Sequence, residues 1–206
     1  MKKDIIILGS TGSIGNSTLK VIKKYNEKFK IKLLTTNNNV KKIYNQAVKF
    51  KVKNVVIKNE KKLKNYKKLF EKKNITYHFD LDEALNSLNK KVYYVINAIS
   101  GIEGLEPTLS SIKHTKNIVI ANKESIICGW RLIKNQLKKN KTNFIPIDSE
   151  HFTIWSLLRN ENIKNIKKIY LTASGGPFLN KNLYKIQNIN PTFALKHPKW
   201  NMGKKI

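Results

Sequence analysis

Cysteine, acidic side chains and long apolar runs are all scarce in this chain of 206 residues. The one cysteine, Cys128, excludes an internal disulfide and suits a reducing compartment. No apolar run reaches the roughly 18 residues of a membrane-spanning helix, so we expect no membrane span. The first apolar run begins at Asp4, which leaves no room ahead of it for a signal peptide. We therefore expect a cytoplasmic protein.

The shortage of acidic residues gives the chain a large positive charge. It has 13 Asp and Glu against 41 Lys and Arg, a net charge of +28. One interpretation is nucleic-acid binding, because neutralising phosphates requires cations. However, most of the excess is lysine spread over nearly every helix-like segment, whereas nucleic-acid readers concentrate arginine and aromatic residues on one element. We expect no nucleic-acid partner, although the charge should attract anionic ligands.

Short apolar, β-branched runs alternate with amphipathic segments along most of the chain. Strands are expected at residues 4–8, 31–35, 54–57, 75–79, 93–99, 117–121, 144–147 and 166–172. Helices are expected from the glycine-rich turn to about residue 25, and at residues 40–50, 61–71 and 124–139. This alternation predicts an α/β, doubly wound (Rossmann-like) and mostly parallel sheet over residues 1–147.

A glycine-rich turn, Gly9-Ser10-Thr11-Gly12-Ser13-Ile14-Gly15, directly follows the first expected strand. Its spacing is related to the dinucleotide-binding fingerprint. Gly9 would permit the tight turn, Gly12 would let a pyrophosphate approach the backbone, and Gly15 would let the helix pack closely. The amides of the helix N-terminus would then bind the phosphates. The alternative is a plain glycine loop.

The second expected strand ends without a carboxylate. NAD-binding proteins usually carry an acidic residue there for the ribose 2′-hydroxyl. This chain has Asn37, Asn38 and Asn39 at that place, with Lys41 and Lys42 just beyond. The pattern favours NADPH over NADH, because a carboxylate would repel a 2′-phosphate. An ordinary Asn-rich turn remains the alternative for Asn37 and Asn38.

Asp148 and Glu150 flank Ser149 at the end of the strand expected at residues 144–147. In an extended segment, this spacing would put both carboxylates on one side. Two hard oxygen donors suit Mg²⁺ or Mn²⁺. The alternative is that Asp148 or Ser149 caps a helix that runs through Trp155.

Other polar residues follow the later strands. Lys123 would hold an anionic substrate, while Glu124 equally fits the first turn of a helix. The loop at Ser174 would present backbone amides to a ligand. Residues 197–203 would form a mobile lid, and the alternative is that their His and Trp are ordinary structural or exposed residues. His78 and His114 have no acidic company and are expected on the surface.

Five strings together resemble the 1-deoxy-D-xylulose 5-phosphate reductoisomerase family. They are GSTGSIG at residues 9–15, ANKES at 121–125, PIDSEH at 146–151, SGGPF at 174–178 and HPKWNMGKKI at 197–206. They occur in the family's order and at about its spacing, and the resemblance covers the whole chain. It implies that residues 148–206 are the incomplete start of an α+β catalytic domain, with a metal-ligand strand and a flap containing Trp200 and Met202.

The resemblance also implies roles for individual residues. The cofactor-binding positions would be Thr11, Gly12, Ser13, Ile14, Asn37, Asn38, Asn39, Asn122, Glu124 and Gly203. The substrate-binding positions would be Lys123, Ser149, Glu150, Ser174 and His197, of which Lys123, Glu150 and His197 would be catalytic. The metal ligands would be Asp148 and Glu150. Asn38 departs from the family, which commonly has a basic residue there.

The activity implied is the NADPH-dependent rearrangement and reduction of 1-deoxy-D-xylulose 5-phosphate to 2-C-methyl-D-erythritol 4-phosphate in the non-mevalonate isoprenoid pathway. It would need Mg²⁺ or Mn²⁺, and the full-length protein would be a homodimer. The family's third carboxylate ligand, phosphate-binding groups and C-terminal helical domain would follow Ile206. We therefore expect a fragment or truncated product that binds NADPH with little turnover. The alternatives are another Rossmann reductase, a non-catalytic remnant that still binds cofactor, and a basic nucleic-acid-binding protein.

Overall fold

Seven parallel strands form one sheet in the computed structural model, which describes residues 1–172, 176–180, 182 and 189–195. The strand order is β4-β3-β2-β1-β5-β6-β7, and every neighbouring pair is parallel. The strands are β1 (Lys3–Leu8), β2 (Phe29–Thr36), β3 (Asn54–Ile57), β4 (Thr76–His78), β5 (Val92–Asn97), β6 (Thr115–Ile120) and β7 (Asn143–Pro146).

Helices connect the strands, and in the described residues two more come after the last strand. They are α1 (Ser13–Lys24), α2 (Val40–Phe50), α3 (Lys67–Lys72), α4 (Leu81–Asn86), α5 (Leu105–Ile112), α6 (Lys123–Asn140), α7 (Ser149–Leu158) and α8 (Pro191–Ala194). The described residues also contain single-turn 3₁₀ helices at Glu60–Lys62, Ile102–Gly104 and Ile163–Asn165. No helix in the described part of the chain is both long and apolar enough to cross a bilayer.

The sheet is covered by apolar packing on both faces. Ile5 and Ile7 of β1 belong to a buried cluster with side chains of α1, α2 and α3. Ile6 and Leu8, which point the other way, belong to a second cluster with side chains of α4, α5 and α6. Because successive strand residues face opposite sides of the sheet, a continuous run of apolar residues supplies side chains to both clusters. Each such side chain contributes about 1.5–3 kcal/mol when it is fully buried.

The strand order reverses between β1 and β5. From β1 the chain winds outward through β2 and β3 to β4, and then α4 returns it to β5 on the other side of β1. The loops that follow β1 and β5 therefore leave toward opposite faces. Such a switch point opens a crevice at the carboxyl ends of the strands, where ligands bind in α/β proteins.

The doubly wound parallel sheet predicted from the sequence is confirmed, and two of its expected elements are wrong. The single helix expected at 61–71 is a 3₁₀ turn followed by the shorter α3, with the fully buried Leu63 between them. No strand forms at 166–172, where Ile169, Tyr170 and Leu171 are exposed and no strand of the described residues pairs with them. Helices α4 and α5 were not predicted.

The chain divides into two compact units, Met1–Asn160 and Glu161–Ile206. The first unit contains the whole sheet and helices α1 to α7. The second contains the 3₁₀ turn at Ile163–Asn165 and α8, and its Phe178 and Phe193 rings lie 6.0 Å apart. The crevice at the switch point belongs to the first unit.

Phe70 offers a test of the core on the α1–α3 face. It is fully buried and meets the rings of Tyr44 and Tyr77 at 5.3 and 6.1 Å, whereas its neighbour Leu69 is 41% exposed. We expect Phe70→Ala to lower the free energy of unfolding by about 3–5 kcal/mol, because it leaves a cavity. Leu69→Ala, the matched control, should cost about 1 kcal/mol or less. Urea denaturation measures both, and equal losses would contradict the packing described.

Candidate functional site

The loop after β1 turns tightly and then starts α1. Gly9 has φ +72°, a conformation that side-chain-bearing residues rarely adopt, and its amide donates to the Thr35 hydroxyl at 2.8 Å. A Cβ on Gly15 would lie 2.5 Å from the Gly9 carbonyl oxygen and 2.6 Å from the Ser10 Cα. Both contacts are with backbone, so only glycine allows α1 to approach the loop this closely.

A buried polar network holds the loop in place. The Ser10 hydroxyl donates to Gln46 Oε1 at 2.8 Å, and Gln46 Nε2 donates back to the Ser10 carbonyl at 3.0 Å. Gln46 Nε2 also donates to Asn16 Oδ1, and Asn16 Nδ2 donates to the Thr11 carbonyl. Lys42 Nζ donates to the same Thr11 carbonyl at 2.8 Å. Helix α2 therefore clamps the loop after β1, which fixes the direction of its amides.

The first turn of α1 is open to an anion. Gly12 occupies the N-cap position, so no side chain caps the helix, and the first turn contains no acidic residue. The amides of Ser13 and Ile14 are among those that an α-helix leaves without an internal partner. They combine with the positive end of the helix dipole to form an anion-binding position.

A cavity of about 330 Å³ lies in front of this turn, at the carboxyl ends of the central strands. Gly9, Thr11 and Gly12 form part of its wall. The remaining lining comes from the ends of β2, β3 and β4, from the loop after β5 and from α5: Thr35, Thr36, Asn37, Val56, Lys58, Phe79, Asp80, Leu81, Asp82, Ala98, Ile99, Ser100, Glu103, Glu106, Pro107 and Ser110. The cavity is thus the crevice of the switch point.

The three asparagines after β2 have different environments. Asn37 lines the crevice, and Asn38 Oδ1 accepts from Asn59 Nδ2 at 2.8 Å. Asn39 is the N-cap of α2, where its side chain accepts from the amide of Lys42 at 3.2 Å. The structure therefore brings Asn37, along with Thr11 and Gly12, to the crevice wall, while Asn38 and Asn39 shape the turn beside it.

Asn122, Lys123 and Glu124 lie where β6 passes into α6. Asn122 is 2% exposed, and its Nδ2 donates to the carbonyls of Ile99 and Gly101 at 2.5 and 3.0 Å. Its Oδ1 is buried with no donor in the part of the chain that is described. Lys123 is exposed at the first position of α6. Asn122 thus ties the ends of β5 and β6 together, and its Oδ1 has no donor among the described residues.

Asp148 and Glu150 follow β7, but the segment is helical and not extended. Asp148 is the N-cap of α7, where its Oδ1 accepts from the His151 amide at 3.0 Å and lies 2.6 Å from His151 Nδ1. The extended geometry expected for the pair is therefore wrong, and the capping alternative describes Asp148. The segment is helical because Asp148 accepts a hydrogen bond from the His151 amide, which would otherwise lack a partner in the first turn.

Capping uses only one oxygen of Asp148. Burial by itself would raise the pKa of this carboxyl, but the His151 amide and ring, together with the Glu150 side chain, lower the pKa below its usual value. Asp148 Oδ2 is buried and accepts no hydrogen bond from the described residues. Glu150 is exposed in the first turn of α7. Asp148 Oδ2 thus remains as an ionised acceptor next to Glu150.

Nowhere in the described residues do three His, Cys, Asp or Glu side chains converge to hold a metal ion. The predicted positions Ser174, His197 and Gly203, and the flap residues Trp200 and Met202, lie outside the described residues. For Ser149 only the backbone, at the start of α7, is described. The structure thus brings together the glycine-loop positions and Asn37, and places Asp148 and Glu150 side by side at the β7 end of the same sheet edge.

Several crevice residues escaped the sequence analysis. Lys58, Asp82, Glu103 and Glu106 line it from elements that are distant in sequence or were not predicted. His78 was expected on the surface, which is wrong. It is 8% exposed, and its Nδ1 lies 3.4 Å from Glu83 Oε1 at the start of α4. An Asp-x-x-Glu pattern at residues 80–83, typical of a helix start, was the signal for α4.

The strand order, the glycine loop and the uncapped helix define a doubly wound α/β protein of the nucleotide-binding class. The model of the family "1-deoxy-D-xylulose 5-phosphate reductoisomerase" matches residues 5–129, and that of the family's C-terminal domain matches residues 144–206. The chain belongs to the 1-deoxy-D-xylulose 5-phosphate reductoisomerase family.

Individual relatives agree with this assignment. The chain is 54% identical to the enzyme of that name from Pelagibacter ubique over 206 residues, covering 99% of this chain and 53% of that protein. It is 41% identical to the one from Clostridium novyi, covering 99% and 54%. The chain therefore spans about half the length of the curated relatives it matches.

Solved structures with the same name share the fold. The Zymomonas mobilis reductoisomerase in complex with NADPH superposes with a TM-score of 0.87 at 30% identity, covering 96% of this chain and 52% of that one. A reductoisomerase in complex with NADPH, fosmidomycin and magnesium superposes with a TM-score of 0.84 at 32% identity, covering 98% and 52%.

Gly15 and Gly12 should respond differently to alanine. A Cβ on Gly15 meets backbone within 2.6 Å, whereas a Cβ on Gly12 lies 3.4 Å from the Gly9 carbonyl oxygen. We expect Gly15→Ala to lower the free energy of unfolding by about 2 kcal/mol or more, since the loop must move. Gly12→Ala should cost about 1 kcal/mol or less, the difference between the two residues at an N-cap. Thermal and urea unfolding of both variants checks this, and similar losses would refute the close packing at Gly15.

Proposed function

We propose that this chain supplies the NADPH-binding part of a 1-deoxy-D-xylulose 5-phosphate reductoisomerase. The observation that supports it best is the uncapped first turn of α1, held by the Gln46 network at the edge of the crevice. A pyrophosphate against the amides of Ser13 and Ile14 satisfies donors that the helix leaves open. Residues 1–147 are then the cofactor domain, and residues 148–206 begin the catalytic domain.

The reaction proposed converts 1-deoxy-D-xylulose 5-phosphate, a hydride and a proton into 2-C-methyl-D-erythritol 4-phosphate. When bound, NADPH supplies the hydride and a divalent cation acts as a Lewis acid on the substrate oxygens. The protein's task is to position both groups at one sheet edge. The ends of β1 and β7 are three strand spacings apart, or roughly 14 Å, so the cofactor must extend past β5 and β6.

The residues around β6 fit the middle of that path. Asn122 keeps a buried acceptor, Oδ1, that suits an amide or hydroxyl donor of the ligand. Lys123 is exposed at the next position, where its ammonium group can hold an anionic substrate and supply charge to a developing oxyanion. We assign Glu124 to the cofactor on the family pattern, and Ser149, Ser174 and His197 to the substrate on the same basis.

Asp148 and Glu150 are proposed as two of the cation's ligands. Asp148 Oδ2 is a buried carboxylate oxygen with no donor in the described part of the protein, and the pKa of this group is lowered, so it is ionised at neutral pH. Ionised carboxylate oxygens are what Mg²⁺ and Mn²⁺ require. Capping of α7 through Oδ1 orients the side chain so that Oδ2 is available.

Binding of NADPH tests the cofactor assignment directly. We expect the 206-residue chain to bind NADPH, and Gly12→Ala to raise the dissociation constant about tenfold or more, because a methyl group there blocks the approach of the pyrophosphate. Titration calorimetry measures this. Ser17→Ala, on the exposed side of the same helix, is the control and should bind like the parent chain. Binding that is absent from the parent, or unchanged in a folded Gly12→Ala variant, contradicts the proposal.

Manganese binding tests the metal assignment separately. Electron paramagnetic resonance of Mn²⁺ should show weaker binding by about tenfold in Asp148→Asn and in Glu150→Gln, since each removes a charged ligand. Glu27→Gln removes the same charge from the loop before β2, at the other edge of the sheet, and should leave Mn²⁺ binding unaltered. Equal affinities in all four proteins would exclude these carboxylates as the metal site.

A further inference from the structure

Lys58 is fixed beside the turn that follows β2. It is the first residue after β3, and its amide donates to the Thr36 carbonyl at 3.1 Å. The next amide, of Asn59, donates to the Asn37 carbonyl at 3.1 Å. The pairing of β2 with β3 therefore continues past the ends of both strands. Its effect is to hold the Lys58 backbone against the first residues of the Asn37–Asn39 turn.

The turn itself carries no charge at these three positions, and its side chains are mostly engaged. Asn38 accepts a hydrogen bond from Asn59 Nδ2 at 2.8 Å, and Asn39 caps α2. In doubly wound proteins this place receives the ribose 2′ position of a dinucleotide, where an acidic residue selects NAD and a nearby cation accommodates a 2′-phosphate. A cation for that phosphate must therefore come from a neighbouring segment.

Two described lysines, Lys58 and Lys61, line a groove beside this turn, and of the two Lys58 alone also lines the crevice. It lines the 330 Å³ crevice together with Asn37, and it also lines the adjoining groove of about 950 Å³. Within the described residues, no carboxylate lies within ion-pair distance of its ammonium group. Lys42, the other lysine close to the glycine loop, is already bound through Nζ to the Thr11 carbonyl.

Acidic side chains line the same two cavities as Lys58. Glu103 and Glu106 of the α5 region face the same crevice and the same groove. Asp80 and Asp82 line the crevice as well, and Glu60 lines the groove. Five of the protein's 13 acidic residues thus line the crevice, the groove or both. Because like charges repel, a phosphate in either cavity is most stable next to a cation, and Lys58 supplies one.

We propose that Lys58 binds the 2′-phosphate of NADPH and thereby selects NADPH over NADH. This assignment rests on the proposed cofactor function and adds to it the residue that determines specificity. An ammonium group acts on a phosphate as a point charge and needs no second donor on its own side chain. The carboxylates that line the same cavities strengthen the need for this cation, because they repel a phosphate that has no positive charge beside it.

The test compares NADPH and NADH binding in three variants of the 206-residue chain. Lys58→Gln removes the charge, Lys58→Arg keeps it, and Lys53→Gln removes the same charge from the exposed residue just before β3, at the opposite end of that strand. We expect Lys58→Gln to raise the dissociation constant for NADPH about tenfold and to change that for NADH by less than about twofold. Lys58→Arg should restore most of the preference, and Lys53→Gln should match the parent.

Each other result has a distinct meaning. Equal weakening of both cofactors in Lys58→Gln, or no change for either, overturns the assignment of Lys58 while leaving the cofactor function intact. The same holds if Lys53→Gln loses the preference as strongly as Lys58→Gln, because the effect is then one of overall charge. A parent chain that binds neither cofactor contradicts the proposed function itself, and this assignment with it.

Discussion

The close approach of α1 to the loop after β1 is the contact on which the candidate site depends. It exists because Gly15 has no Cβ and Gly9 can adopt a positive φ. If the helix stood further away, its N-cap Gly12 would not line the crevice between β1 and β5. Gln46 of α2 completes the arrangement, because its buried side-chain amide accepts from the Ser10 hydroxyl and donates to the Ser10 carbonyl. A buried network of this kind is rigid only when every partner is present, which links the position of the phosphate site to the packing of α2.

The charge of the protein is organised locally as well as globally. A net charge of +28 produces a field that attracts anionic cofactors and phosphorylated substrates from any direction. Several of the few acidic residues lie close to the candidate site, where they repel anions locally. Glu103 and Glu106 line the crevice together with Lys58, while Asp148 and Glu150 lie at the β7 end of the sheet edge. The lysine excess therefore attracts anions over long distances, whereas these carboxylates repel anions at short range. Only the short-range repulsion depends on where the fold places the residues.

The sheet was predictable from the sequence because its strands are short apolar, β-branched runs that alternate with amphipathic helical segments. The glycine loop was predictable because its three glycines have fixed spacing after such a run. Lys58 was not, because its position depends on β3 pairing with β2, which is a tertiary fact. The geometry of Asp148 was misjudged for a related reason: the same residues suit an extended segment or a helix cap, and the His151 amide decides between them. The exposed run at 166–172 shows that apolar composition does not make a strand without a partner.

Amide chemical shifts measured by ¹⁵N NMR, with and without NADPH, test the central claim most directly. If a pyrophosphate rests on the first turn of α1, the largest changes should fall on the amides of Thr11 to Gly15, with further changes at Asn37 and Lys58 and few at the amino ends of the strands. Changes that are confined to other surfaces, or spread evenly over the lysine-rich exterior, would contradict the claim that this crevice binds the cofactor.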